Sequence, residues 1–212
     1  MKEQPIHSLI DLSQPIIDCM PVYPGDEPAR LEKISDFARD EFNNFRFTTG
    51  MHAGTHIDGP MHMTKSDRFI DELPLERFIG TGCLLNAVGM KVISCTPEFT
   101  SAVVSESIVL IYTGFGKQFG GEKYYCDHPV ISMELAQFLV EQRIKMVCFD
   151  SPSPDKHPHD IHTYLLKNSV LIAENLISME KLLTIKKFEI IAFPLRIHAD
   201  SSPARIVARI LE

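Results

Sequence analysis

Short apolar runs separated by loops rich in proline and glycine set the pattern of this chain. Residues 83–88 and 107–112 are such runs and read as buried strands, with Met146–Phe149 a third that ends at Asp150. Residues 45–49 alternate apolar and polar side chains, residues 7–12 do so loosely, and 188–193 and 205–211 close the chain as further strands. Helical spacing is clearest over 132–144, where Leu135, Phe138, Leu139 and Gln142 recur on one face. Ser132 can cap that helix and Glu134 suits its positive N-terminal end. Thr96-Pro97-Glu98 predicts a short helix, with threonine as cap and proline in the first turn. Ser178 predicts the cap of another helix to about Leu183, and residues 164–167 a helical turn. Residues 20–28 hold three prolines and must be an irregular loop, as must 151–160.

Strands and helices mix without strict alternation. The order predicts an α/β fold, a single compact domain over residues 1–212 with a mixed β-sheet and flanking helices. At 44% hydrophobic and 23% charged residues, the composition is that of a globular protein able to bury a full core. The net charge of −7 argues against nucleic acid, which needs a basic face. The short basic clusters at 143–145 and 186–187 read as solvated faces. Apolar runs such as Ile108–Tyr112 are too short to span a bilayer, so no membrane role is expected. No basic-then-apolar leader opens the sequence, so no signal peptide is visible, and cysteines without a disulfide pattern make a reducing cytoplasm the expected location. The five cysteines are odd in number and widely spaced, which fits neither a disulfide framework nor a thiolate zinc site. Cys83 and Cys148 fall in apolar runs and read as small core residues.

One segment carries chemistry: His52-Ala-Gly-Thr-His56-Ile-Asp58-Gly-Pro-Met-His62. All four candidate residues fall on even positions, and alternate side chains of a strand share a face. His56 and Asp58 would sit roughly 6.6 Å apart along a strand, close enough to serve one ion. A straight strand would put His52 and His62 about 33 Å apart, so the segment must bend, and Gly54 and Gly59-Pro60 stand where bends are needed. A helix would also bring His52 and His56 together, but the glycines, Thr55 and Pro60 oppose it, and the glutamate of a zincin helix is absent. Histidine with carboxylate suits zinc, manganese or a similar ion. His52, His56 and Asp58 supply three ligands and leave a position open for water, whose pKa a metal lowers toward about 7. His62 is then free to move a proton. An isolated histidine is ordinarily a satisfied core or surface residue, but three with an aspartate in eleven residues favour a metal site.

A second cluster, His157-Pro-His159-Asp-Ile-His162, precedes Glu174. Residue chemistry leaves each of its three histidines equally open as a ligand, and a solvated loop is as well supported. His7, His128 and His198 stand alone and read as structural.

The His52–His62 motif resembles the signature of the bacterial kynurenine formamidase and cyclase family of metal-dependent hydrolases. Asp11-Leu-Ser13 with Pro21-Val-Tyr-Pro-Gly-Asp26, Ala173-Glu174-Asn-Leu176, and Ser202-Pro203-Ala204-Arg205 resemble its other motifs, so the likeness spans nearly the whole chain. The resemblance implies a compact swivelling β/β/α-like domain, in homodimers or larger homo-oligomers. It implies two divalent metal ions per chain, zinc or in some members manganese. His52, His56 and Asp58 would hold the first, and Asp58 would bridge to a second held by His162 and Glu174. His62 would be the general acid/base. The implied substrate is a small aryl formamide such as N-formylkynurenine, with a cyclic amide like isatin or a lactone as the variant. Thr55 and Met63 stand where the formamidase branch tends to have alanine and an aromatic residue, and Ala199-Asp-Ser201 replaces a more glycine-rich stretch. With no tryptophan in the chain, an aromatic wall must come from tyrosine or phenylalanine, Tyr23 being one candidate. The reading from another class is a protein that binds metal or ligand without turnover. His62 separates the two, since a binding site has no need of a free proton carrier.

Overall fold

The computed structural model describes residues 9–211. Its strands, in chain order, are β1 (Leu9–Asp11), β2 (Arg30–Ser35), β3 (Asn44–Thr48), β4 (His56–Asp58), β5 (Ile79–Asn86), β6 (Val92–Ile93), β7 (Ile108–Tyr112), β8 (Val130–Ile131), β9 (Met146–Phe149), β10 (Leu171–Glu174), β11 (Phe188–Ile191), β12 (Ser201–Pro203) and β13 (Val207–Ile210). The α-helices are α1 (Phe37–Asp40), α2 (Pro97–Ala102), α3 (Met133–Glu141) and α4 (Asp160–Lys167). Nine strands form one mixed sheet in the order β1-β13-β11-β5-β7-β9-β10-β4-β12. Its middle, from β5 through β10, is parallel, and both flanks are antiparallel. The α/β fold with a mixed sheet and flanking helices is therefore the one expected.

The apolar runs go where continuous hydrophobicity sends them. Every residue of β7 and β9 is buried, as in strands covered on both faces. Alternate side chains divide between two cores: Ile108, Leu110 and Tyr112 join Leu12, Phe78, Phe188 and Met179 on one face. Val109 and Ile111 join Phe99 of α2, Leu135 and Leu139 of α3, and Leu165 of α4 on the other. Cys83 and Cys148 are buried and free.

Caps decide the helix ends. The Thr96 hydroxyl accepts from Phe99 N–H at 3.2 Å, and Ser132 does the same for Leu135 at 3.2 Å. α3 stops at Glu141, three residues before the expected 144, because Arg143 takes a left-handed conformation with φ 55°. The helical turn expected at 164–167 is the end of a longer helix, α4, which starts at Asp160 and so includes His162. Ser178 does not cap an α-helix: its φ is 58°, its side chain makes no cap bond, and Met179–Leu182 is a 3-10 turn. The strand expected at 7–12 appears as β1, with His7 and Ser8 outside the described residues.

Residues near the two ends of the described chain contact one another. Arg205 makes a two-pronged ion pair with Asp11, at 2.9 and 2.7 Å. The Ser13 hydroxyl accepts from Ile206 N–H and donates to Ile206 C=O. The flanking motifs seen in the sequence therefore meet in space. Among the described residues, no helix is long and apolar enough to cross a membrane.

Candidate metal centre

β4 is three residues long, fully buried, and sandwiched between β10 and β12. The bends expected around it are present. Gly54 has φ +64°, a left-handed conformation that costs glycine least, and an added Cβ there would lie 2.8 Å from Met20 Cε. Beyond Asp58 the chain turns at Gly59, whose carbonyl accepts from His62 N–H at 3.1 Å. His52, His56, Asp58 and His62 are thereby folded into one cluster. Ring nitrogens and carboxylate oxygens here fall within 4.8 Å of one another in three overlapping groups, His52-His56-Asp58, Asp58-His62-His162 and His52-His62-Asp200.

The other half arrives by strand pairing. Glu174, the last residue of β10, lies opposite His56. Its Oε2 is 3.5 Å from His56 Nε2, and its Oε1 is 3.2 Å from His162 Nε2. Asp58 faces both ways: Oδ1 lies 2.9 Å from His52 Nδ1 and 3.5 Å from His56 Nε2, while Oδ2 lies 3.8 Å from His162 Nε2. The structure thus brings together all six residues expected in the site.

Each inward nitrogen is set by what the opposite ring nitrogen does. His56 Nδ1 faces the Gly54 carbonyl at 2.9 Å, which can only accept, so the hydrogen sits there and Nε2 turns inward with its lone pair. His162 Nδ1 is 2.8 Å from Asp155 Oδ1, again leaving Nε2 inward. Asp155 is itself held by the N–H groups of Ile161 and His162 at the start of α4. His52 Nε2 faces Asp200 Oδ2 at 3.0 Å, which leaves Nδ1 inward. Such outer partners are the usual means of aiming histidine at a metal.

Among the described residues, His56 Nε2, both Asp58 carboxylate oxygens and Glu174 Oε1 are buried with no hydrogen-bond partner. They approach their neighbours closely but without hydrogen-bond geometry. Burying a charge without such partners costs several kcal/mol per ion, so a folded chain has no structural reason to keep two carboxylates here. A divalent cation supplies what is missing, and the donor set of imidazole nitrogen and carboxylate oxygen fits one. Without it, protons fill the role. Burial opposes charge on His52, yet Asp200 and Asp58 raise its pKa to about 10. Burial likewise opposes charge on Asp58, but His56, His162 and His52 hold its carboxyl well below the usual range. Asp155 is held down to about 2, since hydrogen bonds from His162 and His159 outweigh its burial.

A cavity of about 180 Å³ opens over this cluster. Tyr23 and Tyr125, packed edge to face at 5.5 Å, form its aromatic wall, with Met63 and Pro152 nearby. His62 and Asp26 also line it. Tyr23 is the wall residue expected from the sequence.

Of the second histidine cluster, only His162 enters the centre. His159 turns to Asp155 Oδ1 at 3.1 Å and lines the cavity. Buried His128 bonds the Asp155 carbonyl at 2.9 Å, and His198 stacks on Phe69, so both are structural as expected. Sequence reasoning missed Asp155 and Asp200. Asp155 had a faint signal, preceding His159 and His162 by four and seven positions in the same loop. Asp200 had none, because its partners lie far away in the chain.

The fold and the cluster together define an α/β protein built to bind divalent metal. A family model described as "Putative cyclase" matches residues 10–156, and the chain belongs to that family. It is 29% identical over 209 residues to the kynurenine formamidase of Bacillus cereus, covering 94% of this chain and 96% of that protein. Isatin hydrolase A from Labrenzia aggregata, solved with benzyl benzoate, superposes with a TM-score of 0.85 at 21% identity, covering 97% of this chain and 94% of that one. A potential metal-dependent hydrolase with cyclase activity superposes with a TM-score of 0.78 at 22% identity, covering 96% and 98%. These two likenesses are of fold.

Proposed function

We propose that this chain is a metal-dependent hydrolase of a small amide, an aryl formamide of the N-formylkynurenine type. One observation carries this: a buried set of unpartnered imidazole and carboxylate atoms opens, beside His62, into a small cavity walled by tyrosines. Kynurenine formamidase from B. cereus is similar over nearly the whole length of both chains, which favours a formamide as substrate. The cavity is small for a ligand site, which suits a single-ring amide better than a peptide.

His52 Nδ1, His56 Nε2 and Asp58 Oδ1 would hold one ion; Asp58 Oδ2, His162 Nε2 and Glu174 would hold a second. The donor set favours zinc, with manganese as the alternative. Such ions supply Lewis acidity, making water a nucleophile near pH 7 and polarising a carbonyl. The residues of the chain do the rest. Tyr23 and Tyr125 seat the aryl group. His62 takes a proton from the attacking water and returns it to the leaving nitrogen. A C–O bond forms, the C–N bond breaks, and formate and the arylamine leave. His162 and His56 stay fixed by Asp155 and the Gly54 carbonyl. A homodimer is supported by the β2–β3 ribbon, where Phe45 and Phe47 stand exposed beside Phe37 and Phe42.

The test is hydrolysis of N-formylkynurenine by zinc-loaded and manganese-loaded protein, with isatin, a lactone and a peptide as comparison substrates. Formamide cleavage that a chelator stops and zinc or manganese restores is the expected result. Bound metal with no turnover across the panel would favour a binding protein instead. Faster turnover of isatin would move the substrate to cyclic amides.

A further inference from the structure

Asp200 holds two histidines of the centre with a single oxygen. Its Oδ2 lies 3.0 Å from His52 Nε2 and 3.1 Å from His62 Nδ1, and accepts from the Ser201 hydroxyl at 3.0 Å. The His52 and His62 rings sit with centroids 4.1 Å apart. Backbone register explains how Asp200 gets there. Ser201 pairs with Asp58, so Asp200 falls opposite Gly59, the turn between Asp58 and His62. Gly59 N–H donates to the Asp200 carbonyl at 2.9 Å. A Cβ on Gly59 would come within 2.6 Å of that oxygen, so glycine is what lets the two segments meet this closely.

An ionised carboxylate only accepts, so both ring nitrogens facing Asp200 carry their hydrogens. Once a cation displaces its second proton, His52 is left with its lone pair on Nδ1, the nitrogen on the Asp58 side, 2.9 Å from Oδ1. His62 is left with its lone pair on Nε2, the nitrogen Asp200 does not engage.

We propose that Asp200 is the positioning residue of this centre, fixing through one carboxylate oxygen both the metal-facing tautomer of His52 and the proton-accepting tautomer of His62. The second half rests on the reading that His62 moves the proton. When Nε2 takes a proton from water, His62 becomes an imidazolium whose Nδ1–H already faces a carboxylate. That charge is stabilised with no side chain having to move, and the proton then passes from Nε2 to the leaving nitrogen. Because one oxygen serves both rings, a change at Asp200 reaches ligand and base together.

The experiment uses zinc-loaded Asp200→Asn and Asp200→Ala, with ring ¹⁵N NMR at one fixed pH and the His62 signals assigned by their loss in His62→Ala. The native protein should show His62 with hydrogen on Nδ1 and a bare Nε2. Asp200→Asn, which can present its amide N–H groups to Nδ1, should move the hydrogen to Nε2. On a formanilide, kcat should fall about 10²–10⁴-fold while KM stays within about two-fold. Zinc affinity at the His52 position should fall about 10–100-fold, and excess zinc should restore its occupancy without restoring kcat. Native His62 carrying its hydrogen on Nε2, or a folded Asp200→Asn protein with kcat within about two-fold of native, would overturn the proposal. So would a third zinc per chain that Asp200→Ala removes, since Asp200 would then be a ligand. If native protein hydrolyses nothing but the tautomers behave as expected, the positioning role stands and the hydrolase reading fails.

Discussion

Glu174 lies directly opposite His56 across the β10–β4 ladder, with its Oε2 3.5 Å from His56 Nε2. Both side chains are buried, and neither of the atoms on the metal-facing side, His56 Nε2 or Glu174 Oε1, has a hydrogen-bond partner. A ladder position that should stabilise a sheet through packed apolar side chains is given instead to a carboxylate and an imidazole. Such a pairing makes sense where a cation completes it.

Asp58 presents one oxygen to His52 and His56 and the other toward His162. Asp58→Ala should therefore lower metal content at both positions rather than one. Elemental analysis of the purified variant checks this, and two ions retained per chain would rule out a shared carboxylate.

His62 touches Asp200 through Nδ1 and lines the cavity. His62→Ala should keep its metal but lose about 10²–10⁴-fold in turnover, the usual worth of positioned proton transfer. Steady-state kinetics on a formanilide beside a metal assay separates the two effects. Normal turnover would show the proton going elsewhere.

Gly59→Ala should be destabilising, because its Cβ would meet the Asp200 carbonyl at 2.6 Å and force the two segments apart. Overpacking of this kind costs about 1–3 kcal/mol. Gly50, which has nothing within 4 Å of an added Cβ, is the control. Denaturant melts of the two variants should differ, with Gly50→Ala close to native.

In metal-free protein, the ionised cluster predicts how stability follows pH. His52, raised to about 10, contributes stability that is complete below its unfolded value of 6.5 and is lost as pH climbs through about 10. Asp155, lowered to about 2, contributes stability present above 3.8 and lost as pH falls toward about 2. For these two groups the melting temperature should be highest between pH 3.8 and 6.5. Zinc must displace the His52 proton, so binding at pH 7 should release protons. Calorimetry in buffers of different ionisation enthalpy measures that release, and none at pH 7 would contradict a protonated His52.

Much of this was legible in the chain itself. Runs such as Ile108–Tyr112 could only be covered strands, and Thr96 and Ser132 announced their helices through cap chemistry that is local. The ends were less legible: α4 runs from Asp160, four residues before the expected turn, because Asp155 binds the free N–H groups of Ile161 and His162 from outside the helix. β12 carries too few residues for periodicity to register, and β2, six residues long, is largely exposed and so shows no apolar alternation.

By itself, the sequence determined that His52, His56, Asp58 and His62 form one group, since alternation along a strand and glycines at its bends are properties of neighbouring residues. Tertiary structure decided what faces that group. Residue chemistry alone weighed His157, His159 and His162 equally, and only α4's direction turns His162 inward while His159 stays with Asp155. Glu174 reaches His56, and Asp200 reaches both His52 and His62, because β10 and β12 pair with β4 in one register. Such a register is set by backbone hydrogen bonds and core packing between distant segments, and no spacing within either segment encodes it.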